Sequence, residues 1–483
     1  MEERYIVTAD FGSYKLALAV AKVGGAYNQV IYFKEFPSSG ITHGAVFNPM
    51  KTSGLLKSAI ADAEKELGIK ITQIVINYPR QGLKQETATG KTPRTDEASC
   101  ISQEEVDYIK SLALNDYPLD DEEKEVIYGA VPQSFATDDA MGLRESDIVG
   151  MTSSLIEGNF KVFVGTKKAL HNIDTVVNQA GVALARKYFS PEAVADVVLT
   201  AEEKENGVAL MEIGGGVSSV TIYEGGILRY YFAIPFGGSN VTFDIRRECG
   251  FNDALAENIK LGYGVCMPEK LQSLADKILR ISNEGGNYQD IPVKYLSEII
   301  TCRMKEIIDA LLYKIQESNY ADRLNAGVVL TGGCASLGNC SGLIKAMSGY
   351  NVRIGYPRLK DISPNDFTAI LDPASAATAG MLHRACNDVI NCTKEVIREE
   401  PAKAPEAETE VNEIASELGT VSSPSAEGHN EELPNLEGTV FDPKAAETEK
   451  PAGVEKPSWI KKKMTKWTKT IADTTANLFG DME

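Results

Sequence analysis

From residue 4 to about residue 392 the chain alternates apolar runs of strand length with amphipathic stretches and turn signals, the pattern of an α/β protein. Four of these runs come as two pairs, each around a turn. Residues 5–9 and 16–20 flank a turn carrying Asp10, Gly12 and Ser13, and residues 208–213 and 218–223 flank Gly214, Gly215 and Gly216. A third buried-type run, 326–331, passes into Gly332 and Gly333 and then a helix start. Between them, residues 252–260 read as a helix, on which Glu257 and Lys260 share a face at a spacing of three. No apolar run approaches the roughly 18 residues that a membrane-spanning helix needs.

Past Cys392 the pattern breaks down. From Arg398 to Lys450 there are 14 acidic and 4 basic residues among Pro, Ala, Ser, Thr and Gly, with almost no aromatics. Such a segment buries too little apolar surface to offset its ordering entropy, so 393–456 is expected to be a disordered acidic linker. Residues 457–483 reverse that character and hold both tryptophans of the chain, Trp459 and Trp467. On a helix, Ile460, Met464, Trp467, Ile471 and Leu478 form one stripe. Trp459 and Phe479 lie at its ends, and Lys461, Lys462, Lys463, Lys466 and Lys469 flank its first half. A basic amphipathic helix on a polar tether reads as a membrane-surface anchor. A helix docking on the protein's own core or in a partner's groove is the competing reading.

The length of 483 residues, at roughly 150 per domain, predicts about three domains. A formal net charge of -19 repels a phosphate backbone, which argues against nucleic acid as a main partner. The acidic start, Met1-Glu2-Glu3-Arg4, runs straight into a strand-like segment without the features of a secretory signal, so the cytoplasm is the expected compartment. Eight scattered cysteines with no C-x-x-C pair predict neither a zinc site nor a disulfide framework.

The paired runs carry phosphate chemistry. Glycines in the turns let backbone N–H groups approach a phosphate, the Ser13 hydroxyl adds a donor, and a carboxylate at a strand end can hold Mg²⁺ through water. Two such turns some 200 residues apart suggest a duplicated architecture whose halves grip a phosphate tail between them. Glycines at 332 and 333 permit flat approach of a base and ribose near a helix start.

In this order the motifs resemble the phosphate 1, phosphate 2 and adenosine motifs of the actin, Hsp70 and sugar-kinase superfamily. Within it the chain is similar to the FtsA family of bacterial cell-division proteins, over about residues 4 to 392 and the tail. Four features carry that choice. They are the D-x-G-S-x-K opening; the segment 199–207 leading into the second glycine turn; the hairpin 225–229 followed by 234–238; and the charged linker ending in a Trp-bearing helix. The insertion from about Gly82 to Lys161 resembles the family's subdomain 1C. The implied fold is an actin-like duplicated α/β ATPase. Its expected parts are subdomain 1A (1–82, 163–200 and 367–392), 1C (83–162), 2A (201–235 and 306–366), 2B (236–305), the linker 393–456 and the helix 457–483.

The resemblance further implies ATP and Mg²⁺ as ligands. It puts Asp10 beside Mg²⁺ through water and Gly12, Ser13 and Lys15 on the phosphates, with Gly214, Gly215 and Gly216 opposite. Glu257 and Lys260 would meet the ribose or base, and Gly332 and Gly333 the adenosine. Glu212 and Val217 stand where the superfamily usually has Asp and Thr, and the lost hydroxyl removes a donor. Glu212 is the one candidate catalytic carboxylate, no histidine lies in a motif, and Gln179 reads as structural, so the expected activity is a slow ATPase at most. The family resemblance implies self-assembly into filaments and binding of the C-terminal peptide of FtsZ near Arg303. It also implies recruitment of later division proteins and a place on the cytoplasmic face of the inner membrane at the septum. A PilM-like pilus scaffold and a small-molecule kinase of the same superfamily are the rival readings.

Overall fold

The computed structural model describes residues 3–24, 27–282 and 288–393. The linker expected over 393–456, apart from its first residue, and the amphipathic helix expected over 457–483 lie outside the described residues.

The run 5–9 becomes the centre of a sheet because it is buried on both faces: Ile6, Val7, Thr8 and Ala9 are all fully buried in the strand Arg4–Phe11. It pairs antiparallel with Lys15–Val23, which pairs antiparallel with Asn28–Pro37. On its other side lie the parallel strands Gln73–Asn77 and Ala183–Tyr188. Ile362–Ser363 closes the far edge. The helices Pro49–Leu67, Lys167–Ala180, Ser190–Val198 and Ala376–Asn387 contribute Leu56, Val176, Val198 and Leu382 to the core around this sheet.

The second sheet repeats that order. Val208–Ile213 is central, followed on one side by antiparallel Ser218–Glu224 and Ile227–Ile234, and on the other by parallel Val328–Thr331 and Val352–Ile354. Its long helix, Val293–Glu317, buries Leu296, Ile300, Met304, Ile307, Leu311 and Ile315, a stripe at spacings of three and four. The duplication expected from the two paired runs is thus present in five strands of the same order in each sheet, the first sheet adding Ile362–Ser363 at its edge.

Inserted between the two parallel strands of the first half is a four-stranded antiparallel sheet, in the order Lys84–Pro93, Leu155–Thr166, Glu125–Ala136 and Met141–Leu143. The helix Gln103–Asn115 starts on a capping box between Ser102 and Glu105 and packs Val106 and Ile109 against Phe135 and Phe160. It lies so close that a Cβ at Gly90 would fall 2.5 Å from the Ile109 carbonyl oxygen. This subdomain touches the second half through Arg144 on Glu205 at 2.6 Å and through Gln133, which donates to the Leu228 carbonyl at 2.8 Å.

Gly207 opens the strand that leads to the second glycine turn, with φ of 90° and a Cβ position that overlaps the Arg323 carbonyl oxygen. Gly207→Ala combines a left-handed backbone with a clash against main chain, and is expected to cost about 3 kcal/mol. Thermal melting checks this: a melting temperature equal to that of the parent chain would contradict the close approach.

Candidate functional site

The two central strands end facing one another, and their turns meet. In the first turn the Gly12 N–H donates to the Lys15 carbonyl at 3.0 Å, and Ser13 Oγ accepts from the Gly44 N–H at 2.6 Å. In the second, the Gly214 N–H donates to the Val217 carbonyl at 2.9 Å. A Cβ at Gly215 would sit 2.7 Å from Tyr14 Cβ, and one at Gly216 would sit 2.7 Å from Ser13 Oγ. His43 Nδ1 lies 3.2 Å from the Gly216 carbonyl oxygen, a further tie between the halves. Glycine at 215 and 216 is therefore what lets the two turns approach.

Around this junction is a cavity of about 500 Å³, a size suited to a small-molecule ligand. The sequence candidates Asp10, Gly12, Ser13, Lys15, Glu212, Gly214, Gly215, Gly216, Glu257, Lys260, Gly332 and Gly333 all line it. Gly332, with φ of 88° and a Cβ position 2.6 Å from the Ile213 carbonyl oxygen, brings the third glycine pair against the end of the central strand.

Glu257 and Lys260 do not form a solvated surface pair. Asn252 caps their helix, Asp253–Tyr263, on which Ala256, Ile259 and Lys260 are buried. There Lys260 Nζ reaches Glu257 at 2.7 Å, Thr242 Oγ1 at 2.9 Å and the Gly238 carbonyl at 3.1 Å. Lys260 is 7% exposed, so its charge is held by these three acceptors rather than by water. Burial and the neighbouring Glu257 carboxylate push the Tyr14 phenol above its ordinary pKa.

Lys15, which opens the strand Lys15–Val23, is engaged by Glu35 on the neighbouring strand Asn28–Pro37. Glu212 is the one residue of Val208–Ile213 that is not buried, and it receives the Arg80 guanidinium. Arg80 also lies 3.7 Å from Asp10, and its carbonyl accepts from the Tyr231 hydroxyl at 2.8 Å. Burial works against the charged form of Arg80, but Glu212 and Asp10 outweigh it and raise its pKa above the ordinary arginine value. Each basic residue lining the cavity, Lys15, Arg80 and Lys260, is thus matched by a carboxylate.

Sequence reading missed Arg80, Tyr14, Glu35 and Asp372, all of which line the cavity, and the His43 contact with Gly216. Arg80 follows the carboxyl end of the parallel strand Gln73–Asn77 by three residues, the location where open α/β sheets put their ligand-facing groups. That rule was the available signal. Gln179 accepts from Ser53 Oγ at 3.1 Å between two helices, a structural contact. Arg303 lies in Val293–Glu317 with its Nε 2.6 Å and its Nη2 3.1 Å from the two Asp244 oxygens, and with Glu306 on Nη1 at 2.5 Å. It is not among the residues that line the cavity. The tail candidates Trp459, Ile460, Lys461, Lys462, Lys463, Met464, Trp467, Ile471, Leu478 and Phe479 lie outside the described residues. No helix among the described residues is long and apolar enough to cross a membrane.

Comparison with known proteins agrees with this architecture. Residues 209–380 match the family model described as cell division protein FtsA. The chain is 27% identical over 392 residues to cell division protein FtsA of Neisseria meningitidis, covering 80% of this chain and 91% of that one. It is 26% identical over 409 residues to cell division protein FtsA of Escherichia coli, covering 82% and 93%. Among solved structures it resembles a chain of the PilM-PilN type IV pilus biogenesis complex, with a TM-score of 0.54 at 14% identity over 78% of this chain and 97% of that chain, a likeness of fold. Two halves that share one strand order, a sheet inserted within the first of them and relatives matched over nearly their whole length make the chain similar, in sequence and in its actin-like fold, to the FtsA cell division proteins.

Proposed function

We propose that the cavity takes ATP with Mg²⁺ and that nucleotide occupancy governs assembly of the chain into actin-like filaments. In this reading the filaments hold FtsZ at the cytoplasmic face of the inner membrane at the septum and help recruit later division proteins. The observation that supports it is the contact of two glycine turns from duplicated strands, Gly215 on Tyr14 and Gly216 on Ser13. Backbone at such a junction approaches a phosphate chain from both sides. Gly12, Ser13, Lys15, Gly214, Gly215 and Gly216 are assigned to the phosphates, Glu257 and Lys260 to the ribose or base, and Gly332 and Gly333 to the adenosine.

The donor set fits Mg²⁺. Asp10 and Glu212 offer carboxylate oxygens; the buried Asn77 donates its Nδ2–H to Asp10 Oδ1 at 3.4 Å and leaves its own Oδ1 without a hydrogen-bond partner among the described residues. Hard oxygen donors of this kind suit Mg²⁺, which when bound would neutralise phosphate charge. Hydrolysis is assigned a slow rate at most, because Glu212, the one candidate base, is tied to Arg80 and Val217 supplies no hydroxyl. The reading is tested by titrating the purified full chain with a fluorescent ATP analogue in Mg²⁺ buffer. Saturable binding that unlabelled ATP displaces supports it, and absence of binding at millimolar nucleotide overturns it.

FtsZ binding is assigned to the region 236–305, with Arg303 as the candidate contact for the acidic or polar groups of its C-terminal peptide. Arg303→Glu is expected to weaken the peptide at least tenfold, about 1.4 kcal/mol. The same change sets a third carboxylate beside Asp244 and Glu306, so the melting temperature of the variant is read alongside. Unchanged peptide affinity in a folded Arg303→Glu chain removes this assignment.

A further inference from the structure

We infer that Arg80 occupies the position a divalent cation would take between Asp10 and Glu212, so that Arg80 and the metal compete for the same two carboxylates. The inference rests on the nucleotide reading of the cavity and adds to it a residue that sets the metal requirement.

The argument starts from where the three groups sit. Asp10 lies at the end of the central strand of the first half and Glu212 at the end of the central strand of the second. The side chains of Asp10, Arg80 and Glu212 are 12%, 18% and 13% exposed, which removes most of the water that would otherwise screen two like charges. A single guanidinium spans both: Nη1 contacts Glu212 Oε1, and Nη2 lies 3.7 Å from Asp10 Oδ1. Two carboxylates that line the cavity and are held within the span of one guanidinium make an oxygen-lined position that favours a cation.

Arg80 is held there by more than charge. Its main chain accepts from Tyr231 at 2.8 Å, and Gln85 Oε1, five residues on, accepts from the Tyr231 N–H at 3.0 Å. The guanidinium is therefore delivered to the carboxylate pair by a loop that is itself anchored to the second half. Arginine stays protonated throughout the accessible pH range, so pH does not release it. A divalent cation of higher charge density does, because it presents two positive charges to the oxygens that the guanidinium holds with one.

The lysines of the cavity do not substitute. Lys15 is taken by Glu35, and Lys260 by Glu257, Thr242 and the Gly238 carbonyl. Of the basic residues that line the cavity, Arg80 is the one that contacts both strand-end carboxylates.

The test uses Mn²⁺ alone, without nucleotide, followed by electron paramagnetic resonance or calorimetry on the full chain. The parent chain is expected to bind Mn²⁺ weakly. Arg80→Gln, which frees both carboxylates, is expected to bind it at least tenfold more tightly, and Asp10→Asn in the Arg80→Gln chain to abolish the gain. Arg80→Lys keeps the charge but loses the fork that reaches both carboxylates at once. It is expected to fall between the two, and it carries the test if Arg80→Gln does not fold. Equal Mn²⁺ affinity in the parent chain and in every folded variant overturns the inference. ATP binding measured on the same samples keeps the two readings apart. A parent chain that binds ATP but shows no Mn²⁺ difference on losing Arg80 sinks the competition alone, whereas a parent chain that binds no ATP sinks the nucleotide assignment itself.

Discussion

Gly215→Trp is expected to abolish ATP binding while leaving the chain folded. A Cβ at residue 215 falls 2.7 Å from Tyr14 Cβ, closer than carbon atoms approach, so even alanine forces the turns apart. An indole then fills the space between them. Gly215 and Tyr14 both line the cavity, so the space the indole takes is the space the ligand would need. A loss of more than about 100-fold in affinity, near 2.8 kcal/mol, is the expected scale. Gly54→Ala is the control: a Cβ there meets nothing within 4 Å, and it lies in the helix Pro49–Leu67, away from the cavity lining. Circular dichroism of both variants checks the fold, and a fluorescent ATP analogue reads the binding. Retained affinity in Gly215→Trp would remove the assignment of 214–216 to the phosphates, and with it the main support for a nucleotide in this cavity.

How much of this site was legible in sequence depended on whether a signal was local. The glycine turns were, because Asp10-Phe11-Gly12-Ser13 and Glu212-Ile213-Gly214-Gly215-Gly216 each lie between two apolar runs, and a turn between strands needs only its own few residues. Their repetition pointed to duplicated halves, and the matching strand orders of the two sheets follow from it. The Glu257 and Lys260 face was readable from its spacing of three. The choice between solvent and cavity was not, because it depends on Thr242 and Gly238 from a different helix.

Arg80 shows the limit most plainly. Its partners lie 70 and 132 positions away, and nothing in Tyr78-Pro79-Arg80 separates a guanidinium bound for two carboxylates from one bound for solvent. Arg303 illustrates the same difficulty on the second half: its Asp244 partner lies on the helix Gly238–Cys249, so pairing and partner binding look alike in one dimension. The inserted sheet was recognised through family resemblance, since its alternation alone fits many small antiparallel sheets.

Removing the chain after Lys450 is expected to abolish co-sedimentation with vesicles containing phosphatidylglycerol, and the size of that effect follows from two additive terms. Lys461, Lys462, Lys463, Lys466 and Lys469 each gain roughly 1 kcal/mol near an anionic surface, and the stripe Ile460, Met464, Trp467, Ile471 and Leu478 adds apolar burial in the headgroup region. The acidic segment 398–450 opposes them, because its ten excess negative charges are repelled by the same surface. In the proposed reading a single tail would anchor reversibly, and a filament carrying many tails would anchor avidly. That coupling predicts more pelleting of the full chain with ATP than without, and a fall as salt rises because screening acts on the lysines first. Neutral vesicles separate the charge term from the apolar one, and Trp467→Ala weakens the apolar term without changing the charge or the length of the chain. If the helix instead docks on the protein's own core or in a partner's groove, the full and shortened chains will stay equally in the supernatant. The membrane role would then fall, while the nucleotide cavity, tested by Gly215→Trp, would stand or fail by itself.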